Sequence, residues 1–496
     1  MMDMQTYQSM DAVGLAECIK QKQVTPRELV DLAFERLGEV NPDLNAVART
    51  RKKRVYEELE QVKDQGQPFY GVPMFLKDIS QALAGEVLSS GSKLLTENIA
   101  KQDSNFVARL KEAGFFMLGH TTTPEFGLKN ITDPEVFGPA RNPWNLAHSP
   151  GGSSGGAAAL VASGVVPVAG ASDGGGSIRI PAGFSGLFGL KPTRGRTPIG
   201  PGVGRQWQGA SIDFVLSRSV RDSAALLDVL QVVQPEAAYQ TPLYDGSYFD
   251  ITKNHSSKKY KIAYTTASPV RTTVSDEAKS SVLNMVKWLE EQGHEVVEAE
   301  APVDGVQLMK NYYLMNSGEM NQVVTQLKRG LNRNLTIDDI DIITWVLDQA
   351  GKNVTAATYS ESLAGWDLAA AQMAEFHQEY DLYLTPTNAH PAPKIGELEI
   401  PEEKKKDFLK IDHLSMEEQQ KVVYEMFLPS LTYTPFTQLA NLTGQPAMSV
   451  PTFITREGLP MGVQFVAGKG REDQLIELAS QIEQSELWQQ RVVDPK

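Results

Sequence analysis

The stretch 149–196, SPGGSSGGAAALVASGVVPVAGASDGGGSIRIPAGFSGLFGLKPTRGR, constrains this chain more than any other. Glycine loses the most backbone entropy on folding and packs no side chain, so ordinary helices and strands do not accumulate it. Two runs, Gly151-Gly152-Ser153-Ser154-Gly155-Gly156 and Gly174-Gly175-Gly176-Ser177, therefore mark places that require bare backbone. Flexible linkers would stand in polar text. These runs instead flank residues 157–162 and 165–169, which read as a buried helix and a buried strand. Successive glycine N–H groups can converge on one point, and such a nest stabilises an anion or a developing oxyanion.

The chain has 496 residues, 41% hydrophobic and 22% charged, enough apolar text to bury a large core. A formal net charge of −14 repels nucleic acid and anionic membrane surfaces, so neither is an expected partner. The single cysteine, Cys18, excludes an internal disulfide and any cysteine-rich metal cluster, and no metal or cofactor is expected. The N-terminal text has no basic segment leading into an apolar core, and a cytoplasmic location is the expectation.

Strand and helix patterns alternate along the chain as α/β architecture requires. Residues 10–66 read as helical, with Thr25-Pro26-Arg27-Glu28 forming a capping box and Asn41-Pro42 ending that helix. Residues 260–265 and 294–299 read as strands around a helix at 276–292, and 306–380 as helical and aromatic. A strand at 381–387, a hairpin at 447–467 and a closing helix at 472–483 complete the pattern. No internal repeat or long linker divides the chain. It reads as one domain, 1–496, with N-terminal helices (1–66), a catalytic core (67–240), an α/β segment and helical pocket wall (241–380) and a C-terminal part of the core (381–496).

In Gly71-Val72-Pro73-Met74-Phe75-Leu76-Lys77-Asp78 an apolar strand runs directly into a lysine. Lys77 paired with Asp78 at a sheet edge is the ordinary explanation. A desolvated ammonium that loses its proton near neutral pH is the functional one, and the two serines supply a nucleophile for such a base. Ser154 also satisfies G-x-S-x-G, but the residues ahead of it, 142–148, are not the strand that a nucleophile elbow needs; His390 or His413 would then serve as a distant base. Ser90 and Lys93 match S-x-x-K without the companion motifs of that enzyme class.

Lys77, GGSSGG, DGGGSIRIP and GLKPTRGR together resemble the amidase signature family, and PFYGVPMFLKD, DLYLTPT, NLTGQPAMSVP and PMGVQFVAG look like its blocks in order. TTTPEFG, RNPWNLAHSPGGSSGG and GKGRED are similar to the branch containing hydrolases of the 6-aminohexanoate cyclic dimer. The resemblance implies a single α/β/α domain with a mixed central sheet covered by helices on both faces, and hydrolysis of carboxylic amides. It implies Ser177 as nucleophile, Ser153 as bridging serine after a cis peptide from Gly152, and Lys77 as base. The N–H groups of Gly174, Gly175, Gly176 and Ser177 match an oxyanion hole, with Ser154, Asp173 and Arg179 in support. It also implies a small-molecule amide substrate and, by analogy, a homodimer.

Two other readings stay open. A glutamine-hydrolysing amidotransferase subunit would need an acid for the substrate ammonium near Thr434, where residues 431–439 hold none. A non-catalytic anion-binding module would use the same glycine nests. A stand-alone amidase acting on a neutral or apolar acyl group is the expectation, with Phe126, Trp144, Trp207 and Trp345 as candidate pocket residues.

Overall fold

A computed structural model of the chain describes residues 2–254 and 258–495. Its strands are β1 (Val47–Thr50), β2 (Pro73–Lys77), β3 (Phe116–Thr121), β4 (Val168–Asp173), β5 (Phe188–Lys191), β6 (Ile212–Ser217), β7 (Lys261–Tyr264), β8 (Glu295–Glu298), β9 (Leu382–Pro386), β10 (Ala447–Ile454) and β11 (Pro460–Ala467). They form one 11-stranded sheet in the order β1-β3-β2-β4-β6-β5-β10-β11-β9-β7-β8. The sheet is mixed. Strands β3, β2 and β4 are parallel, as are β9, β7 and β8, while the middle from β4 through β11 to β9 is antiparallel. Helices cover both faces, giving the single large α/β/α domain.

Strands β2 and β4 are buried throughout, which explains why PMFLK and VAGASD lack the apolar–polar alternation of a half-exposed strand. Because β2 and β4 run parallel, Lys77 and Asp173 reach the same edge of the sheet. The antiparallel β6 begins there, with Asp213 opposite Ser172. The carboxyl ends of strands at a change of direction are where open α/β sheets place their sites.

The helix Gly155–Ala162 begins within the first glycine run and is entirely buried, and Arg179–Ser185 follows the second. A separate apolar cluster joins the helices Gly305–Leu331, Ile342–Gly351 and Met416–Tyr433 through Tyr313, Met320, Val346 and Phe427. Tyr312 on the first of these donates its hydroxyl to Gly174 O at 3.0 Å, which docks the helical layer over the glycine nest.

Two local expectations are corrected. The helix from Pro26 does not stop at Asn41-Pro42 but runs to Leu44, because Pro42 falls in its last turn and Asn45, at φ 49°, closes it by donating its N–H to Asn41 O. Residues 47–50 form an edge strand paired with β3 inside text that reads as helical. No helix among the described residues is long and apolar enough to cross a membrane.

Candidate active site

Lys77, the last residue of β2, has no exposed surface. Its Nζ lies 2.7 Å from Ser153 Oγ and 2.9 Å from Ser172 Oγ, with Ser172 O at 3.4 Å. Burial lowers its pKa to about 7, against the opposing attraction of the Asp213 and Asp173 carboxylates. Asp78 is not its partner. That carboxylate is taken by Arg49 at 2.6 and 2.7 Å and by the Ser89 hydroxyl, so the edge-lysine explanation fails. Ser172 went unnoticed in the sequence because nothing in its local pattern separates it from a buried strand residue.

The peptide bond from Gly152 to Ser153 is cis. A side chain at Gly152 would meet Ile131 O at 2.4 Å, so the close approach of that backbone explains one glycine of the run. Ser153 and Ser177 both line one cavity, Ser177 half-buried on its wall. Ser177 Oγ forms no hydrogen bond with Ser153 or Lys77 among the described residues, although Ser153 and Ser177 share the cavity wall. Ser154 is fully buried and engages the Ser172 backbone at 3.3 and 3.4 Å. It does not line the cavity, which removes the nucleophile-elbow reading. His390 bonds to Thr273, and His413 is exposed on the surface beside Asp412.

The second glycine run is held from below by a buried ion pair. Asp173 accepts from Arg179 Nε at 3.0 Å and Nη2 at 2.9 Å, from Asn441 Nδ2 at 2.8 Å and from the N–H of Gly176 at 2.8 Å. Burial alone would raise the Asp173 pKa, but Arg179 holds it down at about 2. Arg179 is itself saturated by Thr437 O, Gln464 Oε1 and Asn441 Oδ1 at 2.6–2.7 Å. Gly176, at φ 126°, has Thr437 Oγ1 2.2 Å from where a Cβ would stand. The carbonyls of Gly174 and Gly175 accept from Tyr312 and Thr437. The N–H groups of Gly174, Gly175 and Ser177 have no acceptor among the described residues, whereas that of Gly176 is committed to Asp173.

The cavity measures about 870 Å³. Phe126, Leu128, Ile180, Trp207, Tyr312, Tyr313, Met320, Phe427 and Leu431 give its walls apolar surface, interleaved with polar residues such as Asn130, Gln322 and Gln438. Of the candidate pocket aromatics, Phe126 and Trp207 lie on these walls, the indole of Trp207 aimed by a 2.6 Å bond to Asn316 Oδ1. Trp144 and Trp345 do not. Trp144 packs against Leu459 and Val493 and donates to Ser185 O, and Trp345 packs into the helical cluster, so both serve core packing. Thr434 does line the cavity, beside Asn130 at 3.0 Å, with no acid in 431–439. No group of three or more His, Cys, Asp or Glu among the described residues could hold a metal ion.

Residues 28–476 match the amidase family. A lipoamidase of Enterococcus faecalis is 41% identical over 493 residues, which are 99% of this chain and 65% of the relative, so the chain spans about two thirds of that protein. A 6-aminohexanoate-cyclic-dimer hydrolase of Paenarthrobacter ureafaciens is 34% identical over 487 residues, covering 96% of this chain and 95% of the relative. The solved structure of a 6-aminohexanoate cyclic dimer hydrolase complexed with substrate matches with a TM-score of 0.87 and 32% identity over 96% of this chain and 97% of that one.

Proposed function

The chain belongs to the amidase family, a family of carbon–nitrogen hydrolases, and on that premise we propose that it cleaves carboxylic amides through Ser177, Ser153 and Lys77 by way of an acyl-enzyme. The observation that carries this reading is the 2.7 Å contact between Ser153 Oγ and a fully buried lysine nitrogen whose pKa is lowered to about 7. A neutral Lys77 amine keeps a lone pair for the Ser153 proton while Ser172 Oγ and Ser172 O receive its own N–H groups.

In the first step Ser177 Oγ turns onto Ser153, passes its proton through the Ser153 hydroxyl to Lys77, and attacks the substrate carbonyl carbon. The carbonyl oxygen becomes the tetrahedral oxyanion, and the free N–H groups of the glycine nest stabilise it. Loss of one such donor typically costs on the order of 100- to 1,000-fold in rate. The proton then returns through Ser153 to the departing nitrogen as the C–N bond breaks, leaving an ester on Ser177. Water, deprotonated along the same path, opens that ester and restores both hydroxyls.

The substrate is an amide whose scissile bond adjoins an unbranched apolar chain. The apolar residues on the cavity wall support this, as do the names of the two relatives, a lipoamidase and a 6-aminohexanoate-cyclic-dimer hydrolase. The absence of an acid beside Thr434 speaks against glutamine hydrolysis. The purified protein should release amine from straight-chain acyl amides, and Ser177→Ala should lower kcat on the order of 10,000-fold or more. Failure to cleave any amide of the series, or full activity of Ser177→Ala, would overturn the assignment.

A further inference from the structure

Glu319 lies on the cavity wall, on the helix Gly305–Leu331. Its Oε1 accepts from Gln208 Nε2 at 3.0 Å and from the Tyr359 hydroxyl. Both donors are neutral, and burial together with the adjacent carboxylate pushes the Tyr359 pKa up, so the phenol remains a donor. Oε2 has no hydrogen-bond partner among the described residues and is not among their buried unpaired atoms. The neighbourhood is built to hold the carboxylate. Gln208 takes a left-handed φ of 53°, uncommon for a residue with a side chain and retained where the surroundings impose it. A side chain at Gly318 would meet the Tyr359 ring at 2.8 Å, so only glycine lets Tyr359 reach Glu319.

The other charged groups on the cavity wall are accounted for differently. Asp103 pairs with Lys111 at 2.8 Å, and Lys129 pairs with Asp341 and Asp133 at 2.9 and 3.3 Å. Arg205 also lines the cavity and is exposed; its charge reaches Tyr359, but it makes no ion pair with Glu319. Among the described residues of the wall, Glu319 is thus the carboxylate that lines the cavity with no cation in ion-pair contact. A partly desolvated anion gains most from a charged hydrogen-bond donor brought by the ligand.

Tyr312 and Glu319 are seven residues apart on one helix and so share a face, about 10 Å apart along the axis. Tyr312 marks the catalytic end, through its bond to Gly174 O. An extended chain advances roughly 1.25 Å per C–C bond of about 1.5 Å, so about eight bonds span that interval, or about six once an ammonium–carboxylate hydrogen bond of about 2.8 Å takes up the remainder.

Resting on the amidase reading above, we propose that Glu319 binds an alkylammonium group of the substrate, about six to eight bonds from the scissile amide. The shared chemistry is an aliphatic ammonium, carried on the acyl chain or on the leaving amine. Two pairs of substrates separate these sources: hexanoyl against 6-aminohexanoyl 4-nitroanilide, and N-hexylhexanamide against N-hexanoyl-1,6-diaminohexane. In one pair the ammonium-bearing member should have kcat/KM about 10- to 100-fold above its neutral twin, and in Glu319→Gln that ratio should fall to near one. As a measurement independent of the variant's folding, hexylammonium should inhibit the wild-type enzyme at least about tenfold more tightly than hexan-1-ol. Equal rates within both pairs, or a preference that survives Glu319→Gln, would overturn the proposal while leaving the amidase assignment standing. Absence of turnover on all four amides would instead strike the assignment itself.

Discussion

Burial of Lys77 at the end of β2 strips water from an ammonium whose hydrogen-bonding neighbours are neutral serine oxygens, and the proton is therefore lost near pH 7 rather than near the ordinary 10.5. The activity limb follows directly. In the free enzyme kcat/KM should fall as pH drops below about 7, tenfold per unit once Lys77 is protonated. Stability moves in the same direction with pH, in a higher window. Between about 7 and 10.5 the unfolded lysine holds a proton that the folded one has lost, so stability rises with pH through that window. Below it the burial cost is present in full. Lys77→Met should thus be inactive, and its advantage in Tm over the wild type should shrink from pH 6 to pH 10. A flat difference in Tm, or an activity limb far from 7, would contradict a neutral buried base.

At the scale of elements, the site is a junction of three strand ends and two glycine turns. The turn after β4 depends on the Asp173–Arg179 pair, whose members have no exposed surface and hold the Gly176 N–H, Thr437 and Asn441 in one network. Removing one member of such a pair leaves an uncompensated buried charge, at a cost of about 3–5 kcal/mol. Arg179→Met should lower stability by that order and abolish turnover, whereas Gly176→Ala, with Thr437 Oγ1 2.2 Å from the new methyl, should abolish turnover at a smaller cost. Calorimetry and kinetics on the two variants check the contrast. The junction was legible in the sequence because its requirements are local: Gly152 and Gly176 stand where backbone or a hydroxyl comes too close for a Cβ, and Lys77 ends an apolar strand. What was not legible depends on packing between distant segments. Trp144 and Trp345 carry the same composition signal as Trp207, and only the docking of the helical layer decides which indole meets the cavity. Ser172 and Glu319 are ordinary strand and helix residues until β2 and the Trp207–Gly209 turn are brought against them. The edge strand Val47–Thr50 owes its form to pairing with β3, since nothing within its own four residues sets it apart from helix.

Across the whole molecule, the sheet sets the proposed catalytic groups and the helical layer closes the space above them. Lys77 and Asp173 come from parallel strands of one sheet, and Asp213 enters from the antiparallel neighbour, so the polar floor belongs to the rigid core. The apolar walls, by contrast, come largely from Gly305–Leu331 and Met416–Tyr433, which form their own cluster. On the proposed mechanism that division separates chemistry from selectivity: changes on the helical layer should alter which amide is accepted, and changes on the floor should stop the reaction. The claim that joins both is the identity of the nucleophile, which a serine-directed phosphonate reports in the intact chain. After reaction at pH 8 and digestion, mass spectrometry should find one adduct, on Ser177, with labelling absent from Ser177→Ala and strongly slowed in Lys77→Met. An adduct on Ser154, or a Ser177→Ala protein labelled as fast as the wild type, would contradict the proton path through Ser153.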